Sequence, residues 1–205
     1  MKRASKIFII AAMSLAAILF IRTLTFSVFL APESAGGLNA PPVTLRGASS
    51  SNASTVPAAS YPDRLLIPAL GVDAAIQYLG INAKGNMMAP SNFTDVGWYR
   101  FGTVPGEPGS AVIDGHLDNG LGLAGVFKNL DRLQPGDQIE VLTKGGAKVV
   151  FAVAAVQAYP SGGVPADFIF NRTGGAYLNL ITCDGDWVPS ADSYNERLVV
   201  FAVKE

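Results

Sequence analysis

The sequence predicts a mostly β domain, folded as a sandwich or closed barrel, behind an apolar N-terminal segment. Three observations carry that expectation. From residue 61 onward, short apolar or alternating runs recur between clusters of Gly, Pro, Asn and Asp. The 205 residues include 22 Gly and 13 Pro but only 15% charged residues, against about 25% in an ordinary soluble domain. Turns are therefore plentiful and helix-favouring charged runs scarce. The mean hydropathy of +0.32 is high for a soluble chain, and one segment accounts for it.

That segment is the N-terminus. Lys2, Arg3 and Lys6 form a basic head, Ile7 to Ile21 is apolar except for Ser14, and apolar character resumes from Thr23 to Ala31 after Arg22. A membrane-spanning helix needs about 20 mostly apolar residues. Residues 1–31 are long enough for a basic head and a single-pass anchor if Arg22 snorkels to an interface. The alternative is a cleaved signal peptide, with an apolar core of about 7–15 residues. Glu33 beside Ser34 and Ala35 spoils the small-residue cleavage site, so the uncleaved anchor is the expectation. In both cases the basic head stays cytoplasmic and the remainder is exported. Residues 32–60 are mainly Ala, Ser, Gly, Pro, Asn and Thr, with Glu33 and Arg46 the charges. This composition predicts an unfolded linker, reaching roughly 30 Å as a flexible coil.

The folded domain is expected over 61–205. Strand-like runs cover Arg64–Ile67, Ala74–Leu79, Ser110–Asp114, Gln138–Leu142, Lys148–Tyr159, Tyr177–Thr182 and Arg197–Val203. Seven or eight strands of this kind suit a sandwich or barrel, and closure would remove exposed sheet edges. Helical signal is slight. Gly125–Leu133 offers one or two turns, and Pro165–Asn171 another, with proline opening it.

Composition also excludes functions. The formal net charge is −1, and five of the Lys/Arg residues lie upstream of residue 61 against Glu33 alone. The domain is therefore acidic, which argues against nucleic acid or anionic lipid as a partner. One cysteine excludes an intrachain disulfide framework or a Cys-rich zinc module, and one histidine excludes a multi-histidine metal site.

Those two single residues are the chemically interesting ones. Cys183 ends the apolar run Leu180-Ile-Thr-Cys, just before a polar glycine turn. A buried structural thiol is the plain alternative, but a lone cysteine in an exported protein is a candidate nucleophile. His116 ends another apolar run, directly after Gly115. Alone it would read as a surface-turn histidine. Together, a thiol and an imidazole make the minimal machinery for nucleophilic acyl transfer. Arg197 opens the last strand-like run, and Asp184–Glu196 reads as the loop joining it to Cys183. If those two strands pair antiparallel, Cys183 and Arg197 share an edge, where a guanidinium could stabilise an oxyanion. Taken alone, Arg197 would instead read as a salt bridge to Asp184, Asp192 or Glu196. If the His116 strand runs parallel to the Cys183 strand, all three residues converge.

Gly115-His116 after an apolar strand, Leu180-Ile-Thr-Cys183 and Glu196-Arg197-Leu-Val-Val together resemble a sortase, a cysteine transpeptidase of the bacterial surface. The family pattern TLxTC is matched at Leu180, Thr182 and Cys183, while Asn179 stands where it has threonine. Arg64-Leu-Leu-Ile-Pro and Leu130-Asp-Arg-Leu-Gln-Pro-Gly-Asp137 are also sortase-like, and Gly-His-Leu-Asp is most similar to class F, with D and E less similar. The resemblance implies an eight-stranded β-barrel with no organic cofactor. It implies cleavage of an LPxTG-type sorting signal after threonine, with Cys183 as nucleophile, His116 as acid/base and Arg197 as oxyanion-stabilising and substrate-orienting residue. Thr182 and Leu180 of the motif join the expected substrate-binding set. The partners implied are sorting-signal-bearing surface proteins and an amine of a peptidoglycan precursor or pilin. No acidic cluster is placed to claim the calcium that some sortases bind. The loop Pro160–Ala176, with Val164, Phe168 and Ile169, is the candidate apolar pocket for a proline-containing signal; capping of the core is its alternative role. Other readings stay open at this level: a different exported thiol acyl-transferase, such as an L,D-transpeptidase-like enzyme or a Cys peptidase, which would not require Arg197; a wall-binding module with an incidental Cys183; or a membrane-anchored structural β domain.

Overall fold

The computed structural model of the protein describes residues 56–119 and 122–205. The expected anchor over 1–31 and the linker up to residue 55 lie outside the described residues. Among the described residues no helix is long and apolar enough to cross a membrane.

Eight strands close into a barrel. They are β1 (Pro62–Ile67), β2 (Val72–Leu79), β3 (Val96–Tyr99), β4 (Gly109–Asp114), β5 (Gln138–Thr143), β6 (Lys148–Pro160), β7 (Ala176–Val188) and β8 (Ser193–Lys204). Around the barrel the order is β1-β2-β3-β4-β7-β8-β6-β5, with β5 returning to β1. Two neighbouring pairs are parallel, β2 with β3 and β4 with β7. The remaining neighbours are antiparallel.

Side-chain alternation sorts the apolar residues into two layers. Ala111 and Ile113 of β4, Leu178 and Leu180 of β7, and Leu198, Val200 and Ala202 of β8 belong to the main cluster, with Leu65, Ile67, Trp98, Ile139, Val141 and Phe151 from other strands. This is the barrel interior. The intervening residues Val112, Ile181, Val199 and Phe201 form a second cluster with Leu79, Met87, Tyr99, Ile169 and Phe170. That outer cluster is covered by a short helix, α1 (Ala166–Phe170).

Three details differ from the sequence-based expectation. Strand β3 was not expected. It is only four residues long and buried on both faces, so it shows no alternation to read. Its Gly97 is required by packing, because a Cβ there would overlap Leu79 and Asp114. Gly125–Leu133 forms turns and one 3-10 turn (Leu130–Arg132) rather than a helix. The Val126 and Phe127 amides donate instead to the Phe93 and His116 carbonyls, at 2.8 and 3.0 Å. Finally, β7 and β8 run well beyond the expected ends, so most of Asp184–Glu196 is a two-stranded ribbon and not a loop. Trp187 and Tyr194 pair across it with rings 5.4 Å apart.

Candidate active site

The register of three adjacent strands assembles the site. Cys183 lies directly opposite Arg197 in the antiparallel β7–β8 pair. Directly opposed residues share a face of the sheet, with Cβ atoms about 4.5–5.5 Å apart. On the other side of β7, parallel β4 brings Asp114 level with Ile181. The pairing continues one residue further, where the Gly115 amide donates to the Ile181 carbonyl at 3.1 Å. His116 follows immediately, so it emerges at the strand end that carries Cys183. Both conditions set by the sequence, antiparallel β7–β8 and parallel β4–β7, are met.

Each side chain is held differently. Cys183 is in no disulfide and its thiol is partly exposed, as a nucleophile needs to be. His116 is 95% shielded, at 5% exposure. Its Nε2 lies 2.9 Å from the Pro90 carbonyl. A carbonyl only accepts, so Nε2 carries the hydrogen and donates it; in the neutral ring Nδ1 is then the basic nitrogen. Phe93 packs against the imidazole at 4.9 Å between centroids. Two glycines let the loop close so tightly. A Cβ on Gly115 would overlap Val126 and Phe127, and one on Gly125 would overlap the His116 main chain.

Arg197 is buried, at 4% exposure. Its Nη2 donates to the Ser193 hydroxyl at 2.8 Å, and Nη1 donates to the Tyr194 and Glu196 carbonyls at 2.9 and 2.6 Å. These bonds run to the guanidinium's own strand and fix its plane beside Cys183. A buried, oriented cation next to a partly exposed thiol suits both thiolate and oxyanion.

A family model for the sortase domain matches residues 65–205. The chain belongs to the sortase family. Sortases are cysteine transpeptidases, in accord with a thiol, an imidazole and a guanidinium at one end of a barrel. Solved structures agree in fold. Sortase C-1 from Actinomyces oris is 23% identical at a TM-score of 0.53, over 69% of this chain and 72% of that one. Streptococcus agalactiae sortase C1 is 23% identical at 0.54, over 69% and 66%. Sortase A from Corynebacterium diphtheriae is 20% identical at 0.55, over 71% and 60%. The matched region thus spans about two thirds of these sortases' own lengths. No curated protein matches this chain.

The expected substrate-binding residues divide once the sortase barrel is in view. Thr182 pairs with Leu198 of the interior, so its side chain points away from the Cys183 face. It is buried, and its hydroxyl has no hydrogen-bond partner among the described residues. Any help it gives a substrate has to come from its main chain. Leu180 is fully buried in the barrel interior and Ile169 fully buried in the outer cluster, so neither presents surface to a ligand in this conformation. Val164 is half-buried beside the outer cluster. Phe168 is 47% exposed, its ring packed against Phe201 and under the Arg172 guanidinium. The 160–176 segment therefore caps the core with Ile169 and Phe170 while presenting Phe168 to solvent.

Two other residues of this sortase site were not singled out from sequence. Pro90 and Ser193 act through a carbonyl and a hydroxyl whose roles exist only after folding. Asn179, where the family pattern has threonine, is buried and donates from Nδ2 to the Ile169 carbonyl at 2.6 Å. It thereby caps the C-terminal end of α1. Burial also pushes the Tyr99 phenol of the outer cluster upward in pKa, so it stays neutral at physiological pH. Among the described residues no group of three His, Cys, Asp or Glu side chains is placed to hold a metal ion.

Proposed function

We propose that this sortase is a cell-surface transpeptidase that cleaves an LPxTG-type sorting signal after threonine and passes the acyl group to an amine. The observation that carries the reading is Cys183 opposite Arg197, with His116 emerging from the next strand. Cys183 Sγ attacks the threonine carbonyl carbon. The oxyanion that forms is stabilised by Arg197. Protonated His116 gives its proton to the departing glycine nitrogen, leaving a thioester on Cys183 and neutral imidazole. An incoming amine then attacks the thioester, passes a proton to His116, and releases the thiolate. Water in place of the amine gives slow hydrolysis.

The finer parts of the proposal rest on the sequence. The Gly115-His116-Leu117-Asp118 run favours class F. The apolar segment 7–31 favours a single-pass anchor with the catalytic domain outside the cell. The acceptor is an amine of a peptidoglycan precursor or a pilin, and the acyl donors are surface proteins bearing the sorting signal. The exposed Phe168 and half-buried Val164 are the apolar contacts we assign to that signal.

Incubation of the protein with LPxTG-like peptides and a panel of amines, read by mass spectrometry, tests this. The expected product is the peptide joined to the amine through its threonine, with loss of the glycine fragment. Cleavage at another bond, or amine transfer that persists in Cys183→Ala, would overturn the proposal.

A further inference from the structure

The β7–β8 ribbon beyond the barrel needs an anchor. Strand β4 supports β7 only as far as Ile181, and β6 supports β8 only from Glu196 onward. Between them, the outer parts of β7 and β8 within residues 185–195 pair with each other and with no third strand among the described residues. Such a ribbon is marginal on its own. It is further interrupted by an irregular register between Asp184 and Trp187 and by Gly185 at φ +77°. Yet this ribbon holds the Ser193 hydroxyl and Tyr194 carbonyl that fix the Arg197 guanidinium.

One cross-link meets that need. The Tyr194 hydroxyl donates to Asp118 Oδ1 at 2.6 Å, between residues 76 apart in sequence. That length belongs to hydroxyl–carboxylate bonds, which are about twice as strong as neutral ones. Asp118 stands two residues after His116. Its own segment is closed by a bridge to Ala124 and by the Gly125 amide donating to the Leu117 carbonyl at 2.9 Å. The Tyr194 ring is braced from the other side by Trp187. Lys128 also approaches Asp118, at 3.5 Å, with 43% of its side chain exposed.

We propose that Tyr194 and Asp118 are positioning residues that tie the Arg197 ribbon to the His116 loop. Tyr194 serves both sides at once, its carbonyl holding the guanidinium and its hydroxyl holding the loop. Without the tie, the ribbon that orients the guanidinium loses this bond to the loop that follows His116. This inference rests on the transpeptidase reading for its kinetic consequence, but the tie itself is a property of the thiol's surroundings.

The test uses the full chain and two measurements. In the first, peptide transfer by Tyr194→Phe and by Asp118→Ala falls roughly tenfold in kcat, the kind of loss small misplacement of catalytic groups produces. KM and melting temperature stay near wild type. Asp118→Asn, which keeps an oxygen acceptor for the tyrosine, recovers most of the rate, and the double variant Tyr194→Phe/Asp118→Ala is no slower than either single variant. Lys128→Met matches wild type. In the second, alkylation of Cys183 by iodoacetamide, which needs no sorting peptide, slows in the same order because the thiolate loses its support. If wild type transfers no peptide but alkylation keeps that order, the functional reading fails and the tie stands. Full kcat and wild-type alkylation in Tyr194→Phe, or losses that multiply in the double variant, would overturn the tie.

Discussion

The two faces of strands β4, β7 and β8 are made from alternate residues of the same few segments, and they differ sharply. Toward the interior stand Ala111, Ile113, Leu178, Leu180, Leu198, Val200 and Ala202, a uniformly apolar and buried set. On the outer face the same strands carry Val112, Ile181, Val199 and Phe201 first, then turn polar at one end with Cys183 and Arg197. His116 joins them just past β4. A strand inverts its face at every residue, so a nucleophile can sit one position from a core residue and be rigidly placed by it. In the proposed mechanism the interior supplies stability and the outer face supplies chemistry. Substitutions on the two faces should therefore separate cleanly into loss of stability and loss of turnover.

The largest expected effect is at the outer end. Cys183→Ala should abolish peptide transfer while leaving the melting temperature close to wild type, because the partly exposed thiol contributes little packing. Calorimetry beside a transfer assay checks this. Arg197 comes next. Removing an oxyanion donor typically costs about 3–4 kcal/mol in the transition state, or roughly 10²–10³-fold in rate. Arg197→Lys should be badly impaired too, since lysine keeps the charge but not the planar fork that spans Ser193 and two carbonyls. Single-turnover rates at saturating peptide would read these losses directly; an Arg197→Ala variant with full turnover would remove arginine from the site.

The interior counterpart is Leu180→Ala, three residues from the nucleophile but on the opposite face. It should cost about 2–5 kcal/mol of stability and leave turnover per folded molecule near wild type. Chemical denaturation with active-site titration separates the two quantities. If Leu180→Ala stays stable but loses turnover, the division between faces fails.

Two smaller effects sharpen the comparison. If Cys183 attacks as thiolate and His116 donates as imidazolium, as proposed, the rate should show two limbs against pH. It climbs as the thiol ionises and falls as the imidazolium that must protonate the leaving amine loses its proton. A rate that only rises with pH would exclude His116 as the acid. The smallest change is expected at Asn179. Asn179→Ala leaves the Ile169 carbonyl at the end of α1 without this donor, a loss of about 1–3 kcal/mol. The helix that covers the outer cluster should loosen, raising KM for peptide more than it lowers kcat.

Much of this arrangement was legible in the sequence because alternation and strand ends are local. Leu180-Ile-Thr-Cys183 announces a buried strand that ends in a thiol, and Ser110–Asp114 followed by Gly115-His116 announces its neighbour. The apolar runs could say that the strands exist but not how they pair. The parallel β4–β7 and antiparallel β7–β8 registers stayed conditional until the fold supplied them. The four-residue strand β3 was invisible because both its faces are buried. The β7–β8 ribbon read as a loop because Asp184, Gly185, Asp186, Pro189 and Asp192 are turn-forming residues. There the Trp187–Tyr194 pair and the Asp118 bond override local propensity. Ile169 looked like a ligand contact because hydrophobic residues in a loop suggest a pocket; instead, together with Phe170, it fills the outer core.

In the proposed reaction Cys183, set between Arg197 and His116, forms a covalent acyl bond to its substrate. The most direct measurement is the intact mass of the protein after brief incubation with an LPxTG-type peptide and no amine, followed by mapping of the modified residue. The expected result is an adduct on Cys183 equal to the peptide acyl through its threonine, discharged when an amine is added and absent in Cys183→Ala. A peptide that is cleaved by wild type and by Cys183→Ala alike, with no adduct on Cys183, would contradict it.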